Sequence, residues 1–215
     1  MKEKNRKNQE SEQPIAKSFR EVRYEEKKMA ILRSAAKAFG RKGFNAVTIE
    51  EIAAELKLTK GSLYYYFPTK EIILYEVHLL SLNMVVDTIK KINKSKDSAD
   101  VKLKKAVEKH LEILANEFEG GFLLQQEFLL PGIYRDEVIS LRNLYEKNFV
   151  QILEEGVRSK IFSIQDVRIV SFCMLGAINW FLRWYSSSGR LTSKEIADAF
   201  VDFFMKGIIA RKKNE

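Results

Sequence analysis

The sequence predicts an all-α fold of about nine helices, and three observations carry that prediction. Apolar residues recur with the 3.6-residue period in one segment after another, and Thr with Glu three residues on marks two helix starts. No run alternates with the two-residue period of a strand, and no internal repeat is visible. The 215 residues suit one or two domains, and 46% hydrophobic residues are enough to bury a substantial core.

The first helix runs from Arg20 onward with Ile31, Leu32, Ala35 and Phe39 on its stripe, and Gly43 is expected to end it as a left-handed cap. Thr48 and Glu51 have capping-box spacing, and Ile49, Ile52, Ala53 and Leu56 repeat as the buried face of a helix over about Thr48 to Lys57. A tight turn at Lys57 and Leu58 leads to a third helix, Thr59 to Phe67, which Thr59 caps and Pro68 stops. Thr69 then opens a long helix to Ile92, with Ile72, Tyr75, Leu79, Leu82, Val86 and Ile89 on one face. The next carries Leu103, Ala106, Val107, His110, Leu111, Leu114 and Phe118, and Gly120 with Gly121 ends it. A short helix, Phe122 to Leu130, stops at Pro131. A longer one runs from about Asp136 to Arg158, with Leu141, Leu144, Tyr145, Phe149, Ile152 and Leu153 inward. The last two are assigned to about Gln165–Tyr185 and Ser193–Ala210, the latter behind a capping box at Thr192 and Glu195. Because the stretch from Val167 to Trp184 is apolar nearly all round, it must be covered on more than one side, as at a subunit interface. Residues 1–18, with Lys2, Lys4, Arg6 and Lys7, are polar and aperiodic and read as a disordered basic arm.

A helix, a tight turn and a second short helix form a helix-turn-helix, whose second helix enters the major groove of DNA. At 100° per residue Leu63 and Phe67 share one stripe, Gly61, Ser62 and Tyr65 point away from it, and Tyr64 and Tyr66 flank it. Such a helix has two anchors and a presented polar, aromatic face. The net charge of +8 agrees: residues 1 to 72 hold 16 Lys+Arg against 10 Asp+Glu. The expected organisation is therefore a basic arm over 1–18, an N-terminal three-helix helix-turn-helix DNA-binding domain over 19–68, and a C-terminal helical ligand-binding and dimerisation domain over 69–215. One recognition helix reads only a few base pairs, so a homodimer on a palindromic double-stranded DNA operator is expected.

The region from about Ile31 to Leu74 resembles the DNA-binding domain of the TetR family of bacterial transcriptional repressors. The resemblance rests on Ala35, Ala36, Lys37, Ala38 and Phe39, on Gly43 and Phe44, on Thr48 through Ala53, on Lys60 through Phe67, and on Lys70 and Glu71. Two positions depart from the pattern, Tyr66 where histidine is common and Lys57 where glycine is. The resemblance implies phosphate contacts from Thr48, Tyr64, Tyr66 and Lys70. The candidate DNA-contacting set is Thr48, Thr59, Lys60, Gly61, Ser62, Tyr64, Tyr65, Tyr66 and Lys70. It also implies a four-helix dimer interface from the last two helices of each subunit.

Leu175 through Tyr185, followed by Gly189, Arg190 and Leu191, resembles the branch of that family that responds to acyl-CoA thioesters, which implies a small-molecule effector, a fatty acyl-CoA. Arg183 and Arg190, with Trp180 and Trp184, would meet phosphates or an adenine face. Effector-binding candidates are His110, Phe128, Tyr145, Phe149, Asn179, Trp180, Arg183, Trp184 and Arg190. Simpler readings stand beside these: Arg183 paired with a carboxylate, both tryptophans in the dimer interface, His110 as a core residue. A pocket for hydrophobic or cationic drugs, as in repressors of efflux systems, would draw on Glu112, Glu117 or Glu127.

No Gly-x-Ser-x-Gly elbow, phosphate-cradling glycine loop or His-Glu-x-x-His is present, and His78 and His110 are the only histidines, so no enzyme, metal site or cofactor is expected. A nonspecific DNA-packaging protein would not need the large apolar rear half, and a lipid-binding helical protein would not need a recognition helix. The N-terminus lacks the apolar core of a signal peptide, and no apolar run long enough to span a bilayer is read, so the protein is expected in the cytoplasm, off the membrane. Cys173, alone in an apolar run, is read as core.

Overall fold

The computed structural model describes residues 18–117 and 127–210, the side chains of Glu117 and Glu127 excepted. Most of the basic arm, Phe118, Gly120, Gly121 and most of the expected helix from Phe122 lie outside the described residues. Eight α-helices are described: α1 Phe19–Lys42, α2 Ile49–Glu55, α3 Lys60–Tyr66, α4 Lys70–Asn93, α5 Ala99–Glu117, α6 Gly132–Arg158, α7 Val167–Trp184 and α8 Ser193–Ile208. A single 3-10 turn, Glu127–Leu129, stands where the short helix was expected to end. Among the described residues there is no strand, only one isolated antiparallel bridge between Phe162 and Ile209.

Local chemistry sets most boundaries. Ser18 and Glu21 form a capping box at α1, as do Thr48 with Glu51 at α2 and Thr192 with Glu195 at α8. Gly43 ends α1 with φ 82° and ψ 151°, an extended glycine-only conformation rather than the left-handed cap expected from sequence. The start of α6 comes a turn earlier than predicted, because the Pro131 carbonyl accepts the Arg135 N–H at 3.0 Å while the proline ring fixes φ at −54°. At α7 the Asp166 carboxylate accepts the N–H groups of Arg168 and Ile169, so the helix begins after Gln165 rather than at it.

Two apolar clusters form, and α4 runs through both. The front cluster joins α1, α2, α3 and the first half of α4 to Leu130 and Val138; the rear cluster joins the second half of α4 to α5, α6, α7 and α8. The α4 face differs from the one predicted. Leu82, Val86 and Ile89 are buried, but Ile73, Leu74, Val77, His78 and Ser81 fill the remaining inward positions, while Ile72, Tyr75 and Leu79 are half-buried. The reason is that α4 is apolar on several faces and is covered by α1, α5 and α6, so its period alone does not choose a side. Its length and composition would also let it cross a membrane, yet half of its most apolar window is buried in the protein. Tyr75 packs on Tyr134 at 4.5 Å and donates its hydroxyl to Glu137, which together with burial, the larger cause, pushes its pKa up to about 12. Cys173 is exposed on α7, a correction to its reading as core.

Candidate DNA interface and effector cavity

Helix α2 ends in a Schellman motif whose central residue is Lys57, at φ 53°. The Lys57 N–H bonds the Ala54 carbonyl at 3.0 Å and the Leu58 N–H bonds that of Ala53 at 2.8 Å, so a lysine holds the left-handed position that glycine would hold freely. From this turn Thr59 caps α3, accepting the Ser62 N–H at 3.0 Å and sharing a hydrogen bond with the Ser62 hydroxyl. Leu63 is fully buried and Phe67 nearly so, whereas Tyr65 is 70% exposed and Tyr64 exposed beside it. Gly61 is exposed, and an added Cβ would meet nothing closer than Thr59 Oγ1 at 4.0 Å. Internal packing therefore does not require glycine there.

Three other candidates are engaged within the protein. Lys60 pairs with Glu50 across the turn, and that carboxylate raises its pKa, first through the hydrogen bond. Tyr66 is half-buried, stacked on Tyr24 of α1 at 4.9 Å. Lys70 donates to the carbonyls of Phe44 and Val47, both at 2.9 Å, and lies 4.3 Å from the Phe44 ring centroid. Two of its three donors thus hold the connection between α1 and α2, leaving one for a phosphate. The Thr48 hydroxyl accepts at the α2 N-cap and keeps its own proton to donate.

Behind the helix-turn-helix, α4, α5, α6 and α7 enclose a cavity of about 260 Å³. Ser81, Leu82 and Val85 supply its α4 wall, His110 and Leu114 its α5 wall, Arg142, Tyr145 and Glu146 its α6 wall, and the Phe172 to Asn179 face of α7 the fourth. Within it the Tyr145 hydroxyl and His110 Nδ1 share a buried hydrogen bond of 2.7 Å. Burial pushes the His110 pKa down to about 3 and that of Tyr145 well up, so the pair is neutral near pH 7. Asn179 Oδ1 is buried with no hydrogen-bond partner among the described residues, an acceptor that a ligand donor would satisfy. The charges on the wall belong to Arg142 and Glu146, the latter 3.9 Å from Arg168.

Of the effector candidates read from sequence, His110, Tyr145 and Asn179 come together in this cavity. Phe149 is core behind Tyr145, with ring centroids 6.5 Å apart, and Phe128 is exposed on a groove beside Gly43 and Phe44. Trp180, Arg183, Trp184 and Arg190 are exposed and do not line the cavity. Glu112 pairs with Lys109 at 2.6 Å away from it, and the side chains of Glu117 and Glu127 lie outside the described residues. Sequence reasoning missed Ser81, Leu114, Arg142, Glu146 and Phe172; Arg142 and Glu146, four residues apart beside Asn143 and Lys147, read in sequence as an ordinary surface pair. Among the described residues no three His, Cys, Asp or Glu side chains gather as a metal site. Ile169, Phe172, Cys173, Gly176, Trp180 and Trp184 form an exposed apolar stripe on α7, and Phe203 of α8 is 75% exposed.

Comparison with known proteins accounts for both halves. Residues 31–77 match the bacterial regulatory proteins of the tetR family, and residues 96–208 match the tetracyclin repressor-like C-terminal domain. The TetR family transcriptional regulator PfmR from Thermus thermophilus is 32% identical, with 82% of this chain and 97% of that one aligned at a TM-score of 0.76. The fatty acid metabolism regulator protein of Bacillus subtilis (strain 168) is 23% identical over 185 residues, covering 85% of this chain and 95% of that protein. The crystal structure of AibR in complex with isovaleryl coenzyme A and operator DNA has the same fold, at 21% identity and TM-score 0.72 over 82% of this chain and 96% of that one. The front match covers the helix-turn-helix and the rear match takes in three walls of the cavity and more than half of the sequence, so the chain belongs to the TetR family of transcriptional regulators.

Proposed function

We propose that this regulator is a ligand-responsive repressor that binds a palindromic operator as a homodimer in the cytoplasm and is released when a small amphipathic molecule, a fatty acyl-CoA, enters the cavity. One observation carries the reading: α4 begins directly behind the recognition helix and supplies a wall of the cavity through Ser81, Leu82 and Val85. From Lys70 to Ser81 is about 16 Å along a continuous helix. A ligand that prefers one setting of α4 therefore prefers one spacing of the two recognition helices, and it loosens DNA in proportion to that preference. Base contacts would come from Lys60, Gly61, Ser62 and Tyr65, and phosphate contacts from Thr48, Tyr64, Tyr66 and the remaining Lys70 donor. The exposed stripe on α7 with Phe203 of α8 offers an apolar surface that a second copy would cover.

The size of the cavity shapes the acyl-CoA reading. At about 260 Å³ it falls below the range of roughly 300 to 1,000 Å³ usual for small-molecule sites, so it would hold an acyl tail with the nucleotide outside. Arg142 is then the cation at hand, in place of Arg183 and Arg190. The name of the Bacillus relative and the isovaleryl coenzyme A bound by AibR lie in the same direction. Glu146 beside Tyr145 and Phe172 favours a second reading, a hydrophobic cation sensed by a repressor of efflux.

Native mass spectrometry of freshly purified protein, followed by titration of the retained molecule against operator affinity, tests the assignment. Loss of operator binding with acyl-CoA supports it; affinity unmoved by acyl-CoA sinks the thioester reading, and release by a lipophilic cation selects the second. Tyr65→Ala is expected to relax preference at particular base pairs. Equal loss on operator and random DNA would defeat the recognition-helix assignment.

A further inference from the structure

The face of α1 that enters the front core begins as something else. At 100° per residue Arg20, Arg23, Tyr24 and Lys27 fall within an arc of about 100°, and Ile31 and Ser34, both buried, continue the same arc. One edge of the side that packs inward, the edge marked by Ile31 and Ser34 beside Leu32, Ala35, Ala36 and Phe39, therefore extends past the core in the first turns of α1. Arg20 and Arg23 are exposed there, and Lys27 is half-buried.

What lies beside this overhang is the recognition helix. The Tyr24 ring stacks on Tyr66 at 4.9 Å and meets Tyr65 edge-on at 6.0 Å, and an open groove is lined by Arg23, Glu26, Lys27 and Tyr66. The first turn is fixed rather than frayed, because the Ser18 N–H donates to the Glu21 carboxylate at 2.7 Å and the Glu21 N–H to the Ser18 hydroxyl at 3.3 Å. That cap engages Glu21, and the arc places Glu25 on the far side, so among the described acids of α1 Glu26 is the one left beside the basic face. Lys28, off the arc, pairs with Glu76 at 3.2 Å.

We propose that Arg20, Arg23 and Lys27 form a second DNA-contacting edge, which grips the phosphates bordering the groove that α3 enters and lengthens the footprint outward on each half-site. The inference rests on α3 being the recognition helix and adds to that reading a surface of its own. Tyr24 is a positioning residue, holding the basic edge in register with Tyr65 and Tyr66. The partner is the phosphodiester backbone of the same duplex. These residues carry affinity and register, and they leave base preference to α3.

The test compares the full chain with the triple variant Arg20→Ala, Arg23→Ala, Lys27→Ala on a duplex enriched by the parent protein from a random pool. Affinity is measured across a salt series, with hydroxyl-radical protection of the backbone. The expected result is a salt slope smaller by about one unit for each residue removed per protomer, protection lost at the outer flanks alone, and base preference unchanged. The charge-conserving variant Arg20→Lys, Arg23→Lys, Lys27→Arg should keep the parent slope. An unchanged slope and footprint in the alanine variant overturns the proposal, as does loss of base preference with the unfolding midpoint lowered, which would make these residues supports of the fold. A parent protein that enriches no duplex overturns the recognition-helix reading and this one together.

Discussion

The helix-turn-helix half and the rear half hold their functional residues in place by different means. In the front, Thr59 caps α3 three residues from Ser62, Lys57 closes its turn on Ala54, and the anchors Leu63 and Phe67 alternate with the side chains they present. In the rear, the cavity wall gathers Ser81, His110, Tyr145 and Asn179 from four helices, so each is placed by packing against elements far off in sequence. The candidate DNA surface is thus specified mostly by near neighbours, with Tyr66 and Lys70 also held by α1 and the segment after it, and the candidate ligand surface by the whole bundle. One follows from short-range rules, while the other can be remodelled by changing any of four helices.

Removing an anchor is the largest way to break this contrast. Leu63 is fully buried in the front cluster, so Leu63→Ala should cost about 2–5 kcal/mol there, through lost transfer energy and the cavity left behind. Trp180 and Trp184 are the only tryptophans and both belong to α7, so their fluorescence reports the rear half while circular dichroism reports all helices. Urea unfolding of the variant should show an early dichroism loss ahead of the fluorescence transition. If both signals move together by the same amount, the halves are one cooperative unit and the contrast is lost.

Acid gives a smaller effect and sharpens the contrast, because the only two histidines stand outside the helix-turn-helix. His78 on α4 is buried with neither ring nitrogen partnered among the described residues, and burial lowers its pKa to about 4; that of His110 falls to about 3. Both ordinary values are 6.5. Between the lowered and the ordinary value the unfolded chain binds protons that the native chain refuses. The contribution to stability is therefore full above about pH 6.5 and is lost as pH falls toward 4, at about 1.4 kcal/mol per unit for each histidine. Fluorescence-detected urea midpoints should drop between about pH 7 and about pH 5, and His110→Leu should flatten the dependence. A midpoint that rises on acidification would contradict the burial of both rings.

What the sequence reveals follows the same division. The capping boxes at Thr48 and Thr192, the stop at Pro68 and the inward stripe of α3 are short-range features, and each stands where spacing puts it. The cavity was visible only in part: His110, Tyr145 and Asn179 could be nominated as polar residues in apolar surroundings, but Arg142 and Glu146 resemble an ordinary surface pair until α7 is packed beside them. Trp180 and Trp184 show the limit from the other side. On a helix apolar all round, composition does not separate the face turned to the core from the face left outside, and Cys173 was misplaced for the same reason. Lys70 lies between these cases, since its position suits a phosphate while its geometry devotes two donors to the carbonyls of Phe44 and Val47.

The smallest effect compares the halves on equal terms, because each contains the same turn with a lysine at its strained centre. Lys57 after α2 has φ 53°, and Lys160 after α6 has φ 59°. At the second turn the Lys160 N–H bonds the Val157 carbonyl at 3.0 Å and the Ile161 N–H that of Gly156 at 2.9 Å, repeating the Schellman pattern of the first. A left-handed conformation costs an L-residue about 1–2 kcal/mol, and glycine would escape that while losing roughly 0.5–1 kcal/mol to the wider freedom of its unfolded chain. Lys57→Gly and Lys160→Gly should each therefore raise the unfolding free energy by at most about 1.5 kcal/mol, the first in the dichroism transition and the second in the fluorescence transition. Because the backbone at Lys57 already has the glycine-like angle, Lys57→Gly should leave the entry of α3 and its order of preference among duplexes as they are. A change in that order would mean that the lysine side chain, rather than the turn, sets the pitch of the recognition helix.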